Sequence, residues 1–278
     1  MRCRHCHNDL EYCLVDLGSA PPSNAYLNAV SLKAPEKWFP LRVLVCDRCW
    51  LVQTEDFVSF DELFDADYAY FSSFSPAWLA HAKVYSEKMT TRFGLGTQSQ
   101  VVEVAANDGY LLQFFKQSGI PNVGFEPTAS TAHAARAKGI EIVETFFGEQ
   151  SGREMAISGR TADLMAANNV LAHVPDINDF VRGFTALLKP NGVATFEFPS
   201  LMQLINKIQF DTIYHEHFSY LSLIAVDRIF SENGLTVFDV ESLETHGGSL
   251  RVFAQRSDTG QHGRTQAVDE IRNQEISA

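Results

Sequence analysis

Basic charge is scarce in this chain: 22 lysines and arginines stand against 34 aspartates and glutamates, a net charge of −12 over 278 residues. Binding to a polyanion is driven by clustered cations, and no Lys/Arg cluster offsets the balance, so no nucleic-acid partner is expected. Long apolar runs are lacking as well. No stretch of about 18 residues is apolar, which argues against a membrane span. The opening Met1-Arg-Cys-Arg-His-Cys6 carries no apolar signal segment. A full G-x-G-x-x-G loop is missing, and so is an H-E-x-x-H helix. What remains is an acidic chain, 45% hydrophobic, with material for one large domain and one small one.

The five cysteines are few but ordered. Cys3 and Cys6, then Cys46 and Cys49, form two Cys-x-x-Cys knuckles, while Cys13 stands alone. Two knuckles are the ligand pattern of a tetrahedral zinc site, because a two-residue spacer lets both sulfurs converge from one tight turn. Two disulfides or free thiols are the alternatives, and disulfides need an oxidising compartment. The reading is a structural zinc ion in a cytoplasmic protein. Residues 1–60 then form a zinc-binding domain stabilised largely by its metal, with Pro21, Pro22 and Asn24 breaking the insert and a strand over Leu41–Val45. Zinc ribbons often bind DNA, yet this insert has few basic residues. Residues 61–99 bridge onward, through an aromatic, hydroxyl-rich run over 67–75 and a helical pattern from Pro76 to Phe93.

From Gln100 strands and helices alternate. Strands are expected at Val101–Ala105, Val123–Glu126, Ile140–Val143, Asp163–Asn168 and Gly192–Phe198. Helices are expected at Tyr110–Ser118, Thr131–Lys138 and Asp176–Leu188. A further helix begins at Ser222 and closes at Gly234. Two strand-like runs then follow, Leu235–Ser242 and Ser249–Gln255, separated only by a loop. The fold class is therefore α/β, a Rossmann-like class I methyltransferase fold whose mostly parallel sheet ends in an antiparallel hairpin, spanning 100–256. The segment 257–278 has no evident core to join and reads as a stub leading towards an absent C-terminal domain.

The chemistry is expected at the carboxyl edge of the sheet. Glu103-Val-Ala-Ala-Asn-Asp-Gly109 opens the first helix with Ala105 and Asn107 in place of glycines, a poor fit for a diphosphate. S-adenosyl-L-methionine carries no phosphate. An acid such as Glu103 suits its ammonium, and the small loop of Ala105, Asn107, Asp108 and Gly109 leaves backbone groups open. Glu126, followed by Pro127, ends the second strand where an acid meets ribose hydroxyls, and Asn168 and Asn169 end the fourth. The densest polar cluster is Asp211-Thr-Ile-Tyr214-His215-Glu216-His217. A second metal site lacks an evident third ligand there, whereas general acid–base work suits a histidine beside a carboxylate and a phenol. His173 is placed to reach the same cavity. His246 and Ser249, in the turn entering the last strand, are substrate-side candidates.

These segments together resemble the sugar-nucleotide C-methyltransferases: the paired Cys-x-x-Cys module, Tyr68-x-Tyr-Phe-Ser-Ser73, Glu-Val-Ala-Ala-Asn-Asp-Gly, Thr-Ile-Tyr-His-Glu-His and His-Gly-Gly-Ser-Leu-Arg-Val. The clearest members methylate carbon 3 of dTDP-linked keto-deoxysugars in bacterial sugar pathways. The likeness runs from Met1 to about Phe253. It implies that His217 is the general base, that Tyr214 and Glu216 steady the enolate or orient the base, and that His173 and Tyr68 surround the sugar. It implies that Glu126 holds the adenosine ribose and that zinc stays structural, away from methyl transfer. The partner is then a small-molecule sugar nucleotide, with neither nucleic acid nor membrane, and a monomer is expected. Family members run past this length into a third domain. An O- or N-methyltransferase and a non-catalytic zinc-ribbon adaptor are the competing readings.

Overall fold

The computed structural model describes residues 1–23, 26–57 and 71–278. Strands β1 (Tyr12–Ala20), β2 (Phe39–Val45) and β3 (Val52–Thr54) run antiparallel in a small N-terminal sheet. Helix α1 (Pro76–Phe93) has the bounds its pattern predicts. Pro76 fills its first turn, Ser75 Oγ accepts from Trp78 N at 3.2 Å, and Gly94 closes it at φ 62°.

Strands β4 (Val101–Val104), β5 (Asn122–Phe125), β6 (Ile142–Val143), β7 (Ala162–Asn168) and β8 (Leu188–Pro199) are parallel, in the spatial order β8-β7-β4-β5-β6. Strands covered on both faces read as apolar runs, and every residue of β4 is buried. Helices α2 (Leu112–Gln117), α3 (Ala129–Ala137) and α5 (Ile177–Leu187) match expectation to within a few residues, while α4 (Glu149–Ile157) is an addition. Gly124 keeps β5 close to its neighbours, since a Cβ there would lie 2.4 Å from that of Ala106. A phenylalanine stack fills one side of the core, with Phe196 centroids 4.6 Å from Phe184 and 4.5 Å from Phe230.

After β8 come α6 (Leu201–Asn206), the short strand β9 (Ser219–Tyr220), α7 (Leu223–Glu232), then β10 (Leu235–Leu243), β11 (Ser249–Arg256) and α8 (Gln266–Ser277). The expected hairpin is present. Strand β11 lies antiparallel between β8 and β10, completing a seven-stranded sheet. The helices leave no candidate membrane span: among the described residues none is long and apolar enough to cross a bilayer.

Two expectations are corrected. The segment 257–278 does join a core. Val268 is fully buried, and Glu275 accepts from the first amides of α7, Leu223 N at 2.8 Å and Ile224 N at 2.9 Å. A polar helix anchored by one valine gives little periodic signal. The N-terminal module, in turn, is not a separate body. Strand β9 adds to β3 as a fourth strand, pairing Tyr220 with Val52 and Ser219 with Gln53. The hydrophobic centre of that sheet is completed by Leu204, Ile213 and Tyr220.

Candidate active site

The two knuckles are built alike. His7 N donates to Cys3 O at 3.0 Å and Trp50 N to Cys46 O at 2.9 Å, with His7 and Trp50 at φ 60° and 65°. The sulfurs of Cys3, Cys6, Cys46 and Cys49 all lie within 4.8 Å of one another, Cys3 to Cys49 at 3.4 Å and Cys6 to Cys46 at 3.5 Å. Zinc with Zn–S bonds of about 2.3 Å needs edges of about 3.8 Å, so the set fits after small adjustments. A hydrogen bond to Cys3 and burial push the Cys49 thiol up, so four thiolates need a dication to coexist. Cys13 is exposed and takes no part.

A cleft of about 680 Å³ opens along the carboxyl edge of β4, β5, β7 and β8. Ala105, Asn107, Glu126, Pro127, Asn168 and Asn169 line it, as the strand-end argument predicts. Ala105, Asn107 and Asn169 take φ of 57°, 48° and 53°, a left-handed backbone that glycine usually supplies. Glu126 clamps the first loop to the second: Oε2 accepts from Asn107 N at 2.9 Å and Oε1 from Thr128 N at 3.0 Å. Burial raises the Glu126 carboxyl above its ordinary range. Asn168 Oδ1 and Asn169 Oδ1 are buried acceptors with no hydrogen-bond partner among the described residues, so this wall has unmet need for donors.

Four predicted residues are off the cleft wall. Glu103 is fully buried on β4, under the loop, and burial pushes its carboxyl well above the usual carboxylate range. Asp108 Oδ2 accepts from Ser73 Oγ and from Lys138 Nζ, the latter at 3.1 Å, while its buried Oδ1 has no hydrogen-bond partner among the described residues. Gly109, at φ 76°, serves the turn; a Cβ there would meet Ile140 Cγ1 at 3.1 Å. Ser249 is buried and donates to Thr245 O at 2.9 Å, bracing the turn before β11. Tyr68 lies outside the described residues.

The histidine cluster does assemble. His173, Tyr214, Glu216, His217 and His246 all line the cleft. His217 Nδ1 is 2.9 Å from Thr212 O and therefore carries the hydrogen, leaving Nε2 to accept from Tyr214 Oη at 2.8 Å. His173 Nδ1 donates in the same way to Glu216 O at 2.9 Å, and the two imidazoles stand 4.6 Å apart. Burial lowers His173 to about 4 and, with the nearby His173, lowers His217 to about 3, so both are neutral bases at neutral pH. Glu216 Oε1 accepts from Ser23 Oγ at 2.9 Å. His215 turns the other way, with Nε2 at 3.1 Å from Pro40 O, and packs against the N-terminal sheet. Thr54 Oγ1 donates to His217 O at 3.1 Å, and Arg4 donates to Phe218 O at 3.2 Å. The N-terminal module thus grips this loop at each residue from His215 to Phe218.

The cleft also holds Trp78, Tyr110, Phe146, Phe147 and Asp179, which were not anticipated. Phe146 and Phe147 follow β6, so applying the strand-end rule to the third strand as well would have found them. Among the described lining residues none is Lys or Arg, while Glu126, Asp176, Asp179 and Glu216 are acidic.

Residues 78–240, more than half of the chain, match the family model described as "Methyltransferase domain". The chain belongs to the methyltransferase domain family. Residues 3–64 of this methyltransferase-family chain match a second model, described as "Putative zinc binding domain". The chain is 37% identical to the C-methyltransferase NovU of Streptomyces niveus over 252 residues, 91% of this chain and 60% of NovU. It thus spans about three fifths of that relative's length. Among solved structures it is similar to the PH0226 protein of Pyrococcus horikoshii OT3, with a TM-score of 0.53 and 13% identity, covering 73% of this chain and 100% of that one. It is also similar to magnesium protoporphyrin IX methyltransferase of Synechocystis PCC 6803, solved with bound SAH, with a TM-score of 0.50 and 13% identity, covering 64% and 83%. At these identities the likeness establishes the shared fold.

Proposed function

We propose that this chain carries the zinc-binding and S-adenosyl-L-methionine-binding parts of an enzyme that methylates a carbon beside the ketone of a nucleoside-diphosphate-linked keto-deoxysugar, a dTDP sugar by resemblance. The observation that carries the reading is the hydrogen-bonded chain Thr212–His217–Tyr214 beside His173, in one cleft with Glu126, Asn168 and Asn169. An O- or N-methyltransferase has no need of an enolising base. The identity shared with NovU over most of this chain supports the same reading.

The cofactor, when bound, supplies an electrophilic methyl on a cationic sulfonium. Glu126 suits its ribose hydroxyls, the unmatched acceptors of Asn168 and Asn169 suit its N–H donors, and the acidic, lysine- and arginine-free lining favours its positive charge. His217, kept neutral by burial, takes the proton from the ring carbon at Nε2 as the C–H bond breaks. Its Nδ1–H bond to Thr212 O fixes the tautomer that leaves Nε2 basic. The Tyr214 phenol turns from Nε2 to the ketone oxygen before that transfer, which frees the Nε2 lone pair for the proton and places a donor at the growing negative charge. Held in the cleft, the cofactor would supply the methyl that this ring carbon takes, its sulfur keeping the electron pair of the S–C bond. In-line geometry comes from holding both reactants in one walled cleft. The four cysteines would hold zinc as a structural ion.

The test is calorimetric titration of the zinc-loaded chain with S-adenosylhomocysteine, for the parent, Glu126→Ala and His217→Asn, followed by mass-detected methyl transfer to a dTDP-keto sugar. Binding weakened about tenfold or more in Glu126→Ala, with His217→Asn binding normally and losing about 10²–10⁴ in turnover, is the expected result. Methyl transfer that survives in His217→Asn would sink the enolising mechanism.

A further inference from the structure

Below the acceptor end of the cleft lies a buried ion pair that this chemistry does not use. Glu197 Oε2 on β8 and Arg251 Nη2 on β11 are 2.8 Å apart, with residue exposures of 0% and 3%. Two charges removed from water recover their desolvation only where further bonds complete them, and an apolar pair is often as stable. Glu197 Oε2 also lies 2.9 Å from His81 Nε2, and Glu197 Oε1 accepts from Thr245 Oγ1 at 3.0 Å. The Arg251 guanidinium sits 4.8 Å over the Tyr85 ring.

Both arms of Glu197 end at the cleft. His81 lies flat against Trp78, centroids 4.8 Å apart at 18°. Thr245 begins the turn that holds His246 at φ 51° and ψ 39°, a strained conformation for a side chain of that size. Trp78 and His246 both line the cleft and meet edge to face, 5.2 Å apart at 78°. Their support comes from β8 and β11, whereas Glu126 follows β5, three strands from β8 in the sheet. Trp78 also faces Tyr110, just past β4, with centroids 5.8 Å apart at 30°, so its ring spans the floor between the loop after β4 and the His246 turn. An indole presents a broad, electron-rich apolar face, matched to the C–H face of a deoxysugar and unsuited to a phosphate.

We propose that Trp78 is the platform on which the acceptor sugar ring packs, and that Glu197, Arg251 and His81 are positioning residues that hold it at its angle to His246. This rests on the sugar-acceptor reading above. The zinc-loaded parent, Trp78→Leu and Trp78→Phe are titrated separately with S-adenosylhomocysteine and with thymidine-diphosphate glucose. Trp78→Leu weakens the sugar nucleotide about tenfold and Trp78→Phe restores most of the loss, while S-adenosylhomocysteine binding stays within about twofold in both. The chain has three tryptophans, and Trp38 and Trp50 are exposed, so a Trp38→Phe/Trp50→Phe chain reports Trp78 alone. Its emission shifts on adding the sugar nucleotide, and His81→Ala both shifts the free-chain emission and weakens that ligand. Equal sugar-nucleotide affinity in the parent and Trp78→Leu overturns the platform and leaves the sugar-acceptor reading standing. Weakened S-adenosylhomocysteine with unchanged sugar nucleotide assigns Trp78 to the cofactor and overturns it too. A parent that binds S-adenosylhomocysteine but no sugar nucleotide overturns both.

Discussion

The two sheets of this chain are held together by different means. The seven-stranded sheet buries β4, β7 and β8 on both faces under helices, and its phenylalanine stack is dry. The four-stranded sheet leaves most of β1 in solvent and has a small hydrophobic centre, half of it drawn from α6 and the segment around β9. The larger sheet draws its stability from burial, while the smaller one needs a metal cage and a borrowed strand. The strand it borrows begins two residues after His217, so the His217 side of the cleft depends on the module in a way that the Glu126 side, built on β4, β5 and β7, does not.

The most forceful way to break this contrast is to remove the metal. Cys46→Ser/Cys49→Ser, or exhaustive chelation, frees β9 and displaces Tyr214 and His217. Methyl transfer is expected to fall at least about a hundredfold, the usual result of misplacing a reacting group by an ångström or so. S-adenosylhomocysteine affinity, read by calorimetry, is expected to stay within a few-fold. If both fall together, the two sheets form one cooperative unit and the contrast fails.

Acid sharpens it next. His173 and His217 take up protons near 6.5 when unfolded but only near about 4 and about 3 when buried. A depressed folded value means that this stability is present above about pH 6.5 and lost as pH falls towards 4, because the unfolded chain binds protons that the folded one refuses. For His173 the ceiling is about 3 kcal/mol. Denaturant midpoints from pH 7 to 5 should therefore decline, and less steeply in His173→Asn.

The smallest effect probes the larger sheet alone. Ser222 Oγ caps α7 by accepting from Ala225 N at 3.2 Å, and Glu275 shares that helix end. Ser222→Ala is expected to cost about 1 kcal/mol and lower the melting temperature while leaving both ligand affinities unchanged.

Much of the larger sheet was legible beforehand. Its strands are apolar runs ending in turn residues, α1 carries Pro76 and Gly94 at its two ends, and local signals of that kind survive without tertiary context. That Ala105, Asn107, Glu126, Asn168 and Asn169 share one cleft wall was legible, because strand ends of a doubly wound sheet share one edge. Glu103 lies off the cleft wall because β4 is buried along its whole length, which sequence alternation alone does not reveal. Ser249 lies off the cleft wall, where a serine at a strand entry braces its turn. Strand β9 and helix α8 carry two residues and one buried valine of signal respectively, too little for any periodicity to register.

The sequence by itself determined the class of fold, the four-sulfur cage and the set of chemical groups, because knuckle spacing, βα alternation and dense polar motifs are local properties of the chain. Only the tertiary structure decided which groups face one another. His217 meets Tyr214 and Thr212 within its own loop, but that loop is held by Ser23, Pro40 and Thr54 from the zinc module. Trp78 stacks on His81, which meets Glu197 and Arg251, residues 119 and 173 positions from Trp78 along the chain. Such contacts carry no local signature, since they arise from the closure of one sheet against another and from the desolvation that closure enforces.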